Sequence, residues 1–475
     1  MTRTLAGLRN TLLMKWCASG VLLCSVAFAC SEETNVDVTT DDRAARVKSE
    51  TLRAWEGYKR YAWGMDEFNP LTKTGSNWYD VPLAISPIDA YSTLRVMGLD
   101  EEAKEVELYV ETLNFNKDIS VSVFETNIRV LGGLLSMYQY TTNPKILAKA
   151  KDFGDRLLPA FNSTTGIPYA SVNLHTGAVS GDGAGPAGAG TYTLEFGLLS
   201  YYTRDPIYYK KAKQAMQAMF DRRSERDLIG DFIHINSGDW LSGKSSISAG
   251  SDSYYEYMIK TWLLFKDPDM KAMWDVTAAA VQKNMPEEKD GLVWYGPVDM
   301  HTGARAGGNV TLYDAFYPAT LAVGGYLPEA EKFQTTWDWL WNKYGLEPMA
   351  YNYKTAIIES HTYDLNPEIV ESAYYLYHFT KNEKYKRMAE KYFDDIEKYC
   401  RTDVAYTKVD NVVTKQQGDA LATFFFAETM KYFYLLFSED AGTFNFEDHV
   451  FNTEAHTFRK SLLDQKVVDE ILLKN

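Results

Sequence analysis

Apolar residues recur at helical spacing along most of the chain, and alternating strand-like runs are few, so the sequence predicts a predominantly α fold. A junction recurs as well: an apolar, aromatic helix ends, Asn or Asp caps the next, and Pro often takes its first position. It reads Thr142-Asn143-Pro144, Thr203-Arg204-Asp205-Pro206, Lys266-Asp267-Pro268 and, without proline, Thr380-Lys381-Asn382-Glu383. Asn143, Asp205 and Asp267 are 62 residues apart, and Asn382 lies 115 further on, close to two more periods. That interval is a helical-hairpin repeat.

The repeat divides the helices into two sets. Inner-type segments rich in Gly, Leu, Tyr and Phe fall near 86–97, 125–141, 190–203, 252–265, 315–325, 366–380 and 420–437. More polar segments near 43–65, 100–113, 143–161, 205–222, 267–285, 330–344 and 382–400 need cover on one face only. Strict alternation of seven with seven predicts an all-α fold, an (α/α)7 barrel whose closure lets each hairpin bury its apolar face on both sides. An open α-solenoid fits the same pattern. With short connections and alternating order, all inner helices run the same way and their N-terminal ends share one rim.

Acidic residues gather at that rim. Glu125, Asp252 and Glu368 sit near inner-helix starts, and Glu368 follows Asn366 and Pro367, where the helix dipole favours an ionised carboxylate. Glu195, Glu256, Glu371 and Glu428 lie inside apolar stretches such as Thr423-Phe424-Phe425-Phe426-Ala427-Glu428. A buried carboxylate is costly unless paired, hydrogen-bonded or near a metal, so a series on successive inner helices predicts an acidic pocket on the barrel axis. Near the C-terminus, Phe451-Asn452-Thr453-Glu454-Ala455-His456 offers a hydroxyl and a carbonyl at Thr453, hard oxygen ligands of the kind Ca²⁺ takes; this C-terminal segment is expected to plug the barrel as its floor.

The first residues change the picture of where the chain works. Arg3, Arg9 and Lys15 precede an apolar stretch from Gly20 to Ala29, too short to span a membrane, so residues 1–29 read as a signal peptide. Ala27-Phe28-Ala29 fits ordinary signal-peptidase cleavage. Cys30 followed by Ser31-Glu32-Glu33 fits a bacterial lipoprotein box with Ala in place of the usual Leu, and lipidation of Cys30 is the expectation. Residues 30–42 are polar and acidic and suit a tether; the barrel domain is placed at 43–475. Of the four cysteines only Cys400 then remains in the folded part, which leaves no intramolecular disulfide. The formal charge of -15 becomes -15 - 3 = -18 once Arg3, Arg9 and Lys15 are removed, which argues against nucleic acid and against electrostatic membrane binding. The only expected membrane link is the lipid.

These stretches resemble the motifs of glycoside hydrolase family 47, the class I α-1,2-mannosidases. The resemblance rests on Phe124-Glu125-Thr126-Asn127-Ile128-Arg129-Val130-Leu131-Gly132-Gly133, Asp252-Ser253-Tyr254-Tyr255-Glu256-Tyr257, Pro367-Glu368-Ile369-Val370-Glu371-Ser372, Phe424 to Tyr432 and Phe451 to His456, with support from Ile88-Asp89-Ala90, Gly166-Ile167-Pro168-Tyr169 and Leu194-Glu195-Phe196. It implies the same (α/α)7 barrel, and removal of terminal α-1,2-linked mannose from an oligosaccharide or N-glycan with inversion. Glu368 would be the general base and Glu125 the general acid, with Asp252 a second candidate acting through water. Thr453 would hold Ca²⁺, with Glu195, Glu256, Glu371, Glu428 and Glu454 around its waters, and Phe426 and Tyr255 are candidates for stacking on sugar, although most such rings fill cores. Two departures touch substrate contacts: Asn366 stands where the family usually has Arg, and Ala422 where an acid is common. Tyr313-Asp314-Ala315-Phe316-Tyr317-Pro318 looks closer to the endoplasmic-reticulum degradation-enhancing branch. The alternative is a lectin-like lipoprotein on the same barrel.

Other signals carry little. The glycine-rich run from Gly181 to Gly190 lacks a following Gly-Lys-Ser/Thr and reads as a flexible lead into the helix of Glu195. The seven histidines show no zinc-binding spacing.

Overall fold

Each repeat junction turns the chain in the same way. Asn143 and Asp267 accept hydrogen bonds from the N–H groups of Lys145 and Asp269 with Pro144 and Pro268 at the first helical positions, and Asp205 and Asn382 accept from Ile207 and Lys384 at 3.1 and 3.0 Å. The residue before each cap, Thr142, Arg204, Lys266 or Lys381, closes the preceding helix at φ between 51° and 60°. A left-handed closing residue followed at once by an N-cap reverses the chain in two residues, so each inner helix leads into an antiparallel outer one.

The computed structural model describes residues 40–474. The expected signal peptide, Cys30 and most of the acidic tether lie outside the described residues. The first helix starts at Thr40, inside the end of the stretch assigned to the tether.

Odd-numbered helices form the outer set: α1 (Thr40–Ala62), α3 (Asp100–Thr112), α5 (Pro144–Leu157), α7 (Ile207–Phe220), α9 (Pro268–Asn284), α11 (Leu327–Tyr344) and α13 (Lys384–Cys400). The inner set is α2 (Ile85–Val96), α4 (Val123–Thr126 continued by Asn127–Leu131 and Gly132–Thr141), α6 (Thr193–Thr203), α8 (Asp252–Phe265), α10 (Tyr317–Val323), α12 (Glu368–Thr380) and α14 (Phe425–Thr429 continued by Met430–Ser438). Each inner helix packs on the next, α14 packs back on α2, and α1 lies along α14. The ring is closed, as the alternation predicts, and the open solenoid is excluded. Its core is aromatic, with Trp55, Trp274, Trp337 and Trp341 fully buried.

The expectation of short connections holds at one end only. Segments leading from an outer helix to the next inner one are long, as at 221–251 and 285–316, and they carry small antiparallel sheets of two or three strands. Their polar, glycine-rich sequences have no helical period, and they build the rim around the inner-helix N-termini. Among the described residues no helix is long and apolar enough to cross a membrane.

Candidate active site

The rim encloses a cavity of about 450 Å³ whose walls are inner-helix starts. Glu125 is in the first turn of α4, where Ser122 caps the helix by accepting from the Glu125 N–H at 3.2 Å. Asp252 opens α8 and Glu368 opens α12. All three line the cavity together with Glu428 of α14 and with Thr453 and Glu454.

The last two residues come from a C-terminal hairpin in which His449–Phe451 pairs with Thr457–Arg459. Its tip is tied by Asn452, whose side-chain Oδ1 accepts from the N–H groups of Glu454 (3.0 Å) and His456 (2.8 Å). The Asn452 amide donates to Ile128 O (2.9 Å) and Glu195 Oε1 (2.8 Å). The tip approaches α4 closely: a Cβ on Gly132 would meet Asn452 Nδ2 at 2.7 Å, and one on Gly133 would meet Ile88 Cγ2 at 2.4 Å and His456 at 3.2 Å. The Gly132-Gly133 pair is therefore the seat of the plug.

Two inner helices contain a π turn at the site, Asn127–Leu131 in α4 and Phe425–Thr429 in α14. Each adds a residue to one turn and shifts the helical phase, a distortion common at functional sites. In α4 it accompanies Asn127, which donates to Glu195 Oε2 at 3.0 Å, and Arg129, which pairs with Glu125 at 3.0 Å and Asp89 at 3.5 Å, binds Glu454, and lies 5.2 Å over Trp78. Arg129 was not singled out from sequence, although its i,i+4 spacing from Glu125 is the signal that finds it. In α14 the shifted phase places Phe424 on the cavity and sends Phe426, proposed for the sugar, into the core, edge-on to Trp55 at 5.4 Å. Tyr255, 1 % exposed, is core as well.

Glu195, Glu256 and Glu371 lie buried behind the cavity rather than on it. Tyr257 donates to Glu195 at 2.7 Å, Lys260 binds Glu256 and reaches Glu371 at 3.7 Å, and Tyr432 donates to Glu371 at 3.1 Å. The glycine-rich run does more than lead into a helix: Gly185, Ala187 and Gly188 form a wall, and a Cβ on Gly185 would strike Gly250 O at 2.6 Å.

Buried carboxylates here outnumber the cations Arg129, Lys260 and Lys431, and burial shifts several of them toward their protonated forms. Burial pushes Glu195 and Glu371 up to about 7. Asp252 also reaches about 7, through burial and then the charges of Glu256 and Asp314. Glu428 and Glu454 are raised well above the usual range, by burial first and then by neighbouring carboxylates. Glu368 corrects an expectation: the helix start was to keep it ionised, yet burial, reinforced by Glu347 and Glu371, raises it well above its ordinary value. Its Oε1 accepts from Asn366 Nδ2 at 3.4 Å, while Oε2 is buried without a partner. Asp89 is the exception; burial alone would raise it, but His456, 3.3 Å away, and Arg129 hold it below the ordinary range.

Thr453 completes the floor. Its N–H donates to the Tyr257 hydroxyl at 3.4 Å, whereas its hydroxyl and carbonyl oxygens have no protein hydrogen bond among the described residues. Two free hard oxygens amid proton-hungry carboxylates fit a hydrated hard cation. Among the described residues no three His, Cys, Asp or Glu side chains converge as direct metal ligands, so the carboxylates would act on such an ion through water.

Comparison with known proteins identifies the family of the chain. The family model of glycosyl hydrolase family 47 matches residues 50–460. The chain is 32% identical over 440 residues to α-mannosidase I MNS4 of Arabidopsis thaliana, covering 87% of this chain and 70% of that one. It is 31% identical to the human ER degradation-enhancing α-mannosidase-like protein 2, covering 86% and 76%. Among solved structures the α-1,2-mannosidase from Trichoderma reesei superposes with a TM-score of 0.82 at 26% identity, over 88% of this chain and 99% of that one. A cellobiose 2-epimerase from Bacillus thermoamylovorans B4167, at 14% identity and a TM-score of 0.52, shares the fold alone. Matched over most of its length by the family model and by relatives above 30% identity, the chain belongs to glycosyl hydrolase family 47.

Proposed function

We propose that this chain is an exo-acting, inverting α-1,2-mannosidase that depends on calcium and trims terminal mannose from oligomannose glycans. The observation that carries the reading is the grouping of Glu125, Asp252 and Glu368 on one cavity with Thr453 on its floor. The relatives named as α-1,2-mannosidases support the linkage. The hairpin closes the cavity from below, so a glycan enters end first, which favours release of terminal residues.

Inverting hydrolysis needs a base that takes a proton from water on one face of the sugar and an acid that protonates the leaving oxygen on the other. Glu368 is the base in its ionised form, which a cation held at Thr453 would favour against the burial that raises it; its partnerless Oε2 is the atom that accepts the water proton. Family resemblance favours Glu125 as the acid, but the surroundings of the two candidates differ. Glu125 is 35% exposed at its side chain and paired with Arg129 at 3.0 Å. Asp252 is desolvated and holds its proton to about pH 7, so we assign it the proton transfer to the leaving oxygen, directly or through water, and give Glu125 the orientation of sugar hydroxyls or that water.

Thr453 would hold calcium through its hydroxyl and carbonyl, with Glu195, Glu256, Glu371, Glu428 and Glu454 holding its waters. When bound, the ion supplies positive charge among the carboxylates and coordination for water and sugar hydroxyls. Export by the 1–29 signal and attachment through a lipid on Cys30 belong to the same proposal; mass measurement of the envelope-bound protein checks them.

The deciding experiment follows release of mannose from α-1,2-mannobiose by NMR, with calcium or chelator. β-Mannose appearing first, and only with calcium, is the expected result. Binding of the disaccharide with no release in either condition would favour the lectin-like lipoprotein instead.

A further inference from the structure

A second concave site, sharing no lining residue with the cavity, is built from aromatic rings. The hairpin Pro286–Lys289/Leu292–Tyr295, the C-terminal part of α11 and the strand Ala350–Asn352 enclose a cleft of about 230 Å³. Trp294 stacks on Tyr353 with centroids 5.1 Å apart and planes 6° from parallel, and meets Trp339 edge-on at 6.2 Å. Lys343 Nζ sits 4.8 Å over Trp339 and donates to the Tyr351 hydroxyl at 3.0 Å. The rings are thus fixed from behind, yet Trp339 remains 38% exposed. At the rim, Lys289 pairs with Asp290 at 2.6 Å with the Asp290 side chain 81% exposed.

Rigid aromatic faces edged by a few polar groups bind ligands that have an apolar face and a polar perimeter. A pyranose ring has that form: its C–H face packs on an indole, and its hydroxyls reach an ammonium and a carboxylate. A flat anionic base would suit the lysines, but the chain's net charge of -15 and Asp290 on the rim oppose it. The volume is below the roughly 300–1,000 Å³ of a pocket that encloses a drug-sized ligand, so one sugar ring can seat while the rest of the glycan stays in solvent. Placement links the two sites. Val310 pairs with Tyr351 of the cleft, and Tyr313, three residues along the same strand-to-helix segment, lines the catalytic cavity.

We infer that this cleft is a second, non-catalytic carbohydrate site that holds one residue of an α-mannose oligosaccharide while another branch is presented to the cavity. The choice of mannose rests on the function proposed above. Engaging two points of one glycan raises the effective concentration of the second branch without new catalytic contacts.

The test compares wild type, Trp339→Ala and Trp339→Phe on an oligomannose glycan and on α-1,2-mannobiose. Trp339→Ala is expected to raise KM for the glycan about tenfold, the scale of one lost stacking contact, leaving kcat and all mannobiose kinetics unchanged; Trp339→Phe restores KM. An unchanged glycan KM in Trp339→Ala overturns the inference. Should wild type release no mannose, titration with a fluorescently labelled oligomannose glycan separates the two readings. Binding lost in Trp339→Ala and kept in Trp339→Phe supports the cleft while the hydrolase reading fails. No binding by wild type, or equal binding by all three, overturns the cleft.

Discussion

Asp252 and Glu125 stand on the same rim, yet Asp252 is raised to about 7 by burial while Glu125 is partly exposed and paired with Arg129. If Asp252 delivers the proton, activity requires its protonated form, so kcat/KM falls as pH rises through about 7, the value to which burial and then Glu256 and Asp314 raise it. Asp252→Asn is expected to lower kcat by roughly 10²–10⁴-fold, the usual range for a lost acid, and to abolish that basic limb, while Glu125→Gln keeps the limb. A limb that disappears in Glu125→Gln and persists in Asp252→Asn would reverse the assignment. The glycine seat of the plug is equally specific. Gly132→Ala puts a methyl 2.7 Å from Asn452 Nδ2 and is expected to cost about 1–3 kcal/mol, as overpacking does. Chemical denaturation measures that loss, and an unchanged midpoint would show that the tip yields freely.

At the scale of elements, the hairpin and the two π turns decide what faces the substrate. Asn452 alone makes four hydrogen bonds between the hairpin tip, α4 and Glu195. Asn452→Ala should cost roughly 4 kcal/mol, at about 1 kcal/mol for each bond, and weaken calcium binding measured by calorimetry, because the Thr453 oxygens lose their fixed position. Equal calcium affinity in the variant would mean that Thr453 is held by other contacts. The same elements show what the sequence makes readable. The seven-fold alternation is legible because caps and prolines mark the junctions locally, and the start of α12 because Asn366 and Pro367 precede it. Glu125 is legible because Ser122 and an apolar run bracket it. The exchange of Phe424 for Phe426 is not, since a π turn changes phase without a compositional mark and three successive phenylalanines look alike. Arg129 is legible only in part: its spacing from Glu125 is local, but its partners Asp89 and Glu454 come from distant segments. The long outer-to-inner connections have no period to read, so the wall made by Gly185 and Gly188, and the aromatic cleft beside α11, emerge only when the segments are folded together.

The described residues form a closed ring crowded with buried carboxylates, and this has a measurable sign. Glu195, Glu371 and Asp252 are raised to about 7 by burial, whereas unfolded carboxylates titrate near 4. Between those values the folded state keeps protons that the unfolded state has released, so stability falls as pH rises from about 4 to about 7. Asp89, held below the ordinary range, acts in the opposite direction, but only at more acid pH. Without metal, the melting temperature should therefore be higher at pH 5 than at pH 8. A cation bound among the same carboxylates offsets their repulsion and favours their ionised forms, so calcium should stabilise most at the alkaline end, by about 2.7 kcal/mol at a hundredfold excess over its Kd. Thermal melts across this range, with calcium and with chelator, test both parts. A metal-free protein that gains stability steadily from pH 5 to pH 8 would show that its buried acids are already compensated within the chain. The case for a cation over Thr453 would then lose its electrostatic ground.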